Sequence, residues 1–344
     1  MIGVMQSRIE RALIVGLGSI GRRHLRLLRS SLPDADIRVL RHSGCDGDVE
    51  FADGCFETLA DACAFSPAIA VIASPASEHL NHAYPLAEVG AHLLVEKPIS
   101  VSQEGVKSLI KLCKDKGLRL QVGYNLRFLR ILQSFRSCIS NGLVGEVYSV
   151  RCEVGQYLPD WRPGVDYRQT VSAQAGLGGG VLRELSHELD LLRWIFGEVK
   201  NVSARIARQG PLEIDTEDSA LLQLEFKNTL SAQIAMDFLR RDQTRACTAI
   251  GEKGTLRWDA MRGVVEHFDP AVNDWQDILR ASPERDEAYR TQLETFLMGI
   301  GGLESDRESG ISARGEDALA VMQIIDAARE SEAKDGIRVE VPFD

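Results

Sequence analysis

Ala12-Leu13-Ile14-Val15-Gly16-Leu17-Gly18-Ser19-Ile20-Gly21 decides how the first third of the chain folds. Four apolar residues run into a glycine, and the glycines then recur as Gly-x-Gly-x-x-Gly. An apolar run of this length, closed by glycine, reads as a strand buried on both faces. After it, Ile20, Leu25, Leu27 and Leu28 fall at helical spacing. Strand, glycine turn and helix in that order form the context that a dinucleotide fingerprint requires. Gly16 permits the tight turn, Gly18 lets the backbone approach a pyrophosphate, and Gly21 lets the helix pack closely on the strand. Free N–H groups and the helix dipole favour phosphate charge at the helix start. Gly16, Gly18, Ser19, Ile20 and Gly21 are therefore the first candidate cofactor contacts.

Working outward, apolar strands at 36–40, 68–73, 92–95 and 118–122 alternate with helices at 77–89 and 102–116. That alternation means a parallel, doubly wound sheet. The pattern changes after Gly123. A helix at 128–140 is followed by a strand at 147–156, a flexible glycine loop at 176–180 and a helix at 182–196. Strands of period two then follow at 199–208, 218–225, 229–237, 244–251 and 254–258, and short turns between them mean an antiparallel sheet. Two helices, 287–300 and 313–331, are expected to cover one face of it. The fold class is α/β. A Rossmann-type domain over 1–124 precedes a substrate-binding and oligomerisation α+β domain over 125–344, with a large open, mainly antiparallel sheet.

The 344 residues, 44% of them apolar, suffice for two domains with cores. A net charge of −10 without any lysine/arginine block argues against a nucleic-acid partner. The longest apolar runs are far too short to cross a bilayer, and residues 1–11 lack the apolar core of a signal peptide, so no membrane partner and a cytoplasmic location are expected. The seven cysteines are scattered without Cys-x-x-Cys, and their odd number argues for reduced thiols.

The second strand bears on the choice of cofactor. An NAD site usually ends this strand in Asp or Glu, which accepts from the ribose hydroxyls. Here Arg41 occupies that position, about 20 residues after Gly21. A guanidinium has only donors, but it forms a charge-assisted fork with a 2′-phosphate, with Ser43 assisting. NADP(H) is therefore favoured, with NAD(H) as the alternative.

Glu96-Lys97-Pro98 closes the fourth strand of the same sheet. Transfer of hydride to a carbonyl leaves an alkoxide that needs a proton, and oxidation of an alcohol needs the reverse. A lysine can serve both directions if its environment brings its pKa towards neutrality. With this element the chain resembles the Gfo/Idh/MocA oxidoreductases. The matching residues are Gly16 to Gly21, Ser74-Pro75-Ala76-Ser77-Glu78-His79, Glu96-Lys97-Pro98, Gly123-Tyr124-Asn125-Leu126-Arg127-Phe128, Gly178-Gly179-Gly180 and His187-Glu188-Leu189-Asp190. The resemblance implies a sugar or polyol oxidoreductase using NAD(P), with Lys97 beside the reacting oxygen. It also implies that Ser74, Pro75 and His79 lie along the cofactor, with Glu96, Lys97 and Asn125 among its contacts. Glu96 is expected to orient Lys97.

His187 and Asp190 lie three apart on a helix and so share a face. The resemblance puts that face over the nicotinamide, with His187 hydrogen-bonding or protonating the substrate oxygen and Asp190 setting its tautomer or holding a substrate hydroxyl. Glu184 lies one turn earlier, but without a second ligand cluster no metal is expected. Many relatives carry an aspartate and a glycine where this chain has Arg183 and Leu185. Arg183 adds a cation suited either to lowering the Lys97 pKa or to binding an anionic substrate. The segment 157–168 holds Tyr157, Trp161, Tyr167, Arg162 and Arg168. Aromatic faces pack on sugar rings and arginines clamp carboxylates or phosphates. Tyr157, Trp161, Arg162 and Arg168, joined by Arg127, Arg183 and His187, are thus candidate contacts to a sugar acid or nucleotide sugar. Two other readings are a redox-neutral enzyme that keeps NAD(P) bound, and a cofactor-sensing protein without activity. A bare apolar sheet face would favour a homodimer or homotetramer through the C-terminal sheet.

Overall fold

The computed structural model describes residues 9–342, apart from 43, 46, 283 and 301–309. The chain divides into two compact units, one of residues 1–128 with 286–319 and one of 129–285 with 320–344.

The first unit holds strands β1 (Arg11–Val15), β2 (Asp36–Leu40), β3 (Gly54–Phe56), β4 (Ile69–Ile72), β5 (His92–Val95) and β6 (Leu120–Val122). They form one parallel sheet in the order β3-β2-β1-β4-β5-β6. Helices α1 (Ser19–Ser31), α2 (Leu59–Ala64), α3 (His79–Glu88) and α4 (Val106–Asp115) connect the strands. Strand order reverses between β1 and β4, and a doubly wound sheet keeps its ligand crevice at the carboxyl ends of the strands there. Ala12 to Val15 and Ile69 to Ile72 are buried throughout, as their unbroken apolar runs require.

The second unit begins with α5 (Arg130–Ser140) and β7 (Val147–Gly155), followed by α6 (Val181–Glu184) and α7 (His187–Phe196). Strands β8 (Val199–Ala207), β9 (Ser219–Phe226), β10 (Ser231–Asp237), β11 (Thr244–Gly251), β12 (Gly254–Asp259), β13 (Val264–Asp269), β14 (Asp274–Arg280) and β15 (Val339–Glu340) complete it. Nine strands make one sheet in the order β14-β13-β12-β11-β7-β10-β9-β8-β15, with β7 and β10 its parallel pair. Alternation sorts the faces: Cys152, Leu222 and Ile234 are buried, while Arg151, Leu221 and Gln233 face outwards. The expected helix over 182–196 is two helices, broken at Leu185 and Ser186. The glycine loop is packed rather than loose. Gly178 and Gly180 take φ of +92° and +104°, and a Cβ on Gly179 would overlap the Val171 carbonyl oxygen.

The helix α8 (Glu287–Ile300) departs from expectation. Its place after the strands points to the C-terminal sheet, yet Leu293 and Phe296 are buried in the first unit's core with Ile14, Leu25 and Leu28. Helical periodicity identifies an apolar face but not the sheet that receives it. The last helix, α9 (Gly315–Ala333), follows it. Strands β13 and β14 extend the sheet beyond the last expected strand, and β14 is exposed along most of its length, so it carries little alternation. The expectation of reduced thiols fails at one pair. Parallel pairing of β2 with β3 brings Cys55 beside the segment after β2, and Cys45 and Cys55 form a disulfide with Cα atoms 5.7 Å apart. Among the described residues no helix is long and apolar enough to cross a membrane.

Candidate active site

The glycine turn explains its own composition. Gly16 takes φ +90°, and a Cβ there would sit 2.8 Å from the Ala73 carbonyl oxygen. Its N–H donates to the Leu40 carbonyl at 2.9 Å, tying the ends of β1 and β2 together. A Cβ on Gly21 would overlap the Gly16 carbonyl oxygen, so the helix can start this close only with glycine. At Gly18 a Cβ would meet nothing within 4 Å. Gly18 is also the N-cap of α1, and no side chain caps the helix that Ser19 and Ile20 open. N–H groups without a side-chain cap, next to the open space at Gly18, suit the pyrophosphate of a dinucleotide.

Arg41 follows β2 directly, and its backbone N–H donates to the Phe56 carbonyl at 3.1 Å. Within the same region Asp36 pairs with Arg38 at 3.0 Å, and Asp53 pairs with Arg29. Ser43 lies outside the described residues.

Lys97 stands where β5 ends, half-buried, before a cis peptide to Pro98. Glu96 is buried, and its Oε1 accepts from His24 Nε2 at 2.7 Å. Its Oε2 accepts the Lys97 backbone N–H at 3.3 Å. Glu96 thus acts on the main chain of Lys97. Burial pushes the Glu96 carboxyl up, but the His24 hydrogen bond and the charges of His24 and Lys97 outweigh it, holding the group below its ordinary range. His79 bridges two loops, its Nδ1 at 2.9 Å from the Pro98 carbonyl and its Nε2 at 2.8 Å from the Ser74 carbonyl. Burial lowers the His79 pKa despite those two carbonyls. The Ser74 hydroxyl meets His82 Nδ1 at 3.1 Å, and Pro75 leads into the turn that precedes α3. The side chain of Asn125 hydrogen-bonds the Tyr289 hydroxyl, whose pKa burial and the Glu96 charge push up to about 12. Sequence reasoning missed His24 and Tyr289. A histidine on the inward face of α1 was a signal for the first, whereas Tyr289 reaches this place only because α8 returns to the first unit.

In the second unit His187 is the first residue of α7, half-buried, and the buried Asp190 follows within the first turn. Between them Glu188 is fully buried in an ion pair with Arg245 of β11 at 2.6 Å, which fastens the start of α7 to the sheet. Glu188 was also missed. Glu184 belongs to α6, and its carboxylate accepts from Ser172 at 2.9 Å, so the continuous face expected through Glu184, His187 and Asp190 is interrupted. Among the described residues no group of three or more His, Cys, Asp or Glu could hold a metal ion. Arg183 is half-buried in a charge cluster; burial and Arg329 lower its pKa, while Glu217 and Asp326 oppose them.

Several proposed substrate contacts have partners of their own. Arg127 has a side chain only 3% exposed and pairs with Asp317 at 3.4 Å, both within the first unit. The Trp161 ring meets Phe238 edge-on at 5.1 Å, and its Nε1 donates to the Gln156 carbonyl at 3.0 Å. Arg241 lies 3.4 Å from the centre of the Tyr157 ring. Arg168 is exposed and forks to Asp166 and Glu213, each at 2.9 Å. Arg162 is exposed beside Trp161 on the same turn. The segment is therefore built in large part from its own contacts, an outcome the same residues allow as readily as sugar binding.

Residues 10–124 match the model of an oxidoreductase family with an NAD-binding Rossmann fold, and residues 132–257 match the GFO/IDH/MocA C-terminal domain. Inositol 2-dehydrogenase of Rhizobium meliloti (strain 1021) is 26% identical over 93% of this chain and 96% of its own length. The WlbA dehydrogenase from Bordetella pertussis, solved with NADH and UDP-GlcNAcA, is 25% identical, with a TM-score of 0.77 over 98% of this chain and 100% of that one. Levoglucosan dehydrogenase in complex with NADH shares the fold, with a TM-score of 0.83 at 18% identity over 97% and 99% of the two chains. The chain belongs to the Gfo/Idh/MocA family and is an NAD-binding oxidoreductase.

Proposed function

We propose that this protein transfers hydride between a nicotinamide cofactor and a carbon–oxygen centre of a sugar, sugar acid or nucleotide sugar, with Lys97 as the acid/base group. One observation carries the reading. Lys97 leaves the sheet at the same carboxyl edge as the Gly16–Gly21 turn; Glu96 ties its main chain to α1, and His79 ties the following residue, Pro98, to Ser74. A bound nicotinamide supplies the hydride acceptor or donor. The Lys97 amine takes the substrate hydroxyl proton during oxidation and returns it during reduction. His187 holds the reacting oxygen, and Asp190 sets the histidine tautomer. The relatives that act on inositol or bind a nucleotide sugar support a polyhydroxylated substrate. Arg162 and Arg183 supply positive charge for an acidic one. Arg41, with Ser43, inclines the cofactor choice to NADP(H).

Lys97→Met in the full-length protein tests the assignment, with inositol and UDP-N-acetylglucosaminuronic acid as probe substrates. Turnover is expected to fall by about 10²–10⁴-fold while NAD(P)H, read by fluorescence, still binds with a far smaller loss of affinity. Undiminished turnover by a variant that binds cofactor normally contradicts the role.

Association of copies through the outer face of the nine-stranded sheet belongs to the same proposal. That face forms a trough of about 850 Å³ that includes Arg151, Glu153, Arg205, Leu221 and Gln233. Both charge signs and an exposed leucine on one surface suit a second copy related by a two-fold axis. Sedimentation as a monomer at micromolar concentration counts against it.

A further inference from the structure

Behind Lys97 lies a layer of side chains that the proposed chemistry does not touch. His24, on α1, is fully buried, and its Nε2 is 2.7 Å from Glu96 Oε1. The other Glu96 oxygen takes the Lys97 backbone N–H. Room for that carboxylate depends on Gly123, where a Cβ would fall 2.7 Å from Oε2. The Tyr289 ring meets the His24 ring edge-on at 5.7 Å. Arg23 covers the Tyr289 ring at 4.7 Å and pairs with Asp286 at 3.0 Å.

Burying a carboxylate against an imidazole is a poor way to gain stability, because desolvation offsets much of the attraction and apolar side chains of similar volume pack as well. What the pair supplies is direction. A hydrogen bond fixes a distance and an angle that apolar packing leaves loose. Here it links the helix that starts at the glycine turn to the main chain of the residue read as the acid/base group.

We infer that His24 is a positioning residue, which through Glu96 sets the backbone of Lys97 relative to α1. The inference rests on the reading of Lys97 given above. Asn125, Tyr289 and Arg23 keep the His24 ring in place from behind, and His79 holds Pro98 from the other side.

The test compares His24→Leu, which keeps bulk but loses the donor, with His24→Gln, which retains an N–H donor. Amide hydrogen exchange at Lys97 is read in the full-length protein, together with NADH binding and turnover of the two probe substrates. For His24→Leu, exchange at Lys97 is expected to rise at least about tenfold, the loss of one hydrogen bond to a charged group. Amides of Leu13, Ile14 and Val71 should keep their protection. Turnover should fall about 10–100-fold with little change in KM, as for a misplaced reacting group. His24→Gln should restore most of both. Wild-type protection at Lys97 in His24→Leu overturns the inference. So does rapid exchange at Lys97 in a folded His24→Gln protein, which settles the matter even if the leucine variant does not fold. Failure of the catalytic reading is distinguishable: Lys97→Met would then turn over normally while the exchange pattern of the His24 variants stood.

Discussion

Gly21 packs directly on the Gly16 carbonyl oxygen, so closely that a Cβ on Gly21 would overlap it. The nearest obstacle is main chain, which cannot swing aside as a side chain would. Gly21→Ala must therefore move α1 away from the β1 turn. Overpacking of this kind costs about 1–3 kcal/mol. Because the displaced element is the helix start expected to hold the pyrophosphate, NADH affinity should fall more steeply than stability. Gly18→Ala meets open space in the protein and loses only some N-cap preference, so its expected effect falls mainly on the ligand: a melting temperature lowered less than by Gly21→Ala, with weaker NADH binding. Thermal denaturation with and without NADH separates the two variants, and equal behaviour contradicts this account of the turn.

Arg41 is the residue on which cofactor preference is expected to turn. A charge-assisted hydrogen bond to a phosphate contributes about 1.5–3 kcal/mol, so Arg41→Asp should weaken NADPH binding roughly ten- to a hundredfold. The introduced carboxylate accepts from ribose hydroxyls, so NADH binding should hold or improve. Dissociation constants for both cofactors, measured at one ionic strength, provide the check. A wild-type protein that prefers NADH and is indifferent to the substitution removes the argument for NADP.

Stability should fall on mild acidification. Burial lowers the pKa of His79, His82 and His92 from an ordinary 6.5. The unfolded chain then binds more protons than the folded one as pH drops, so their contribution is complete above pH 6.5 and is lost through the depressed folded values. Glu96 and Asp53, also depressed, add a second loss below their ordinary 4.5 and 3.8. At the alkaline end Tyr289 acts with the opposite sign. Its folded pKa is raised to about 12, so the contribution present below its ordinary 10 disappears as pH rises towards the folded value. A melting temperature that stays level from pH 5 to 7 contradicts the first part.

How much of this was legible in the sequence follows from the range of the interactions. The glycine turn and the strands around it were readable because local periodicity and local turn geometry determine them. Lys97 was readable because its neighbours in sequence carry the pattern. His24 and Glu96 are 72 residues apart, and nothing local links them. Tyr289 is further still, on a helix whose apolar face fits either unit by periodicity alone. The break at Leu185–Ser186 separates Glu184 from His187 although helical counting put them on one face. Composition also cannot tell an aromatic that stacks on a ligand from one that stacks on Phe238, which is what Trp161 does.

Arg127 shows the same ambiguity in charge, and it can be tested. As a substrate contact its loss should raise KM and leave the fold intact. As the buried partner of Asp317 its loss should act on stability. Removing one member of a buried pair costs about 3–5 kcal/mol, and the partial exposure of Asp317 reduces that to about 2–3 kcal/mol. Arg127→Met and Asp317→Asn should therefore lower the denaturation midpoint similarly. The double variant should recover part of the loss, since neither leaves a charge buried alone. Because Asp317 lies on α9 while Arg127 follows β6, the coupling in that cycle also reports whether the ends of the first unit hold together. A stable Arg127→Met protein with an elevated KM for an acidic sugar returns the residue to the substrate site.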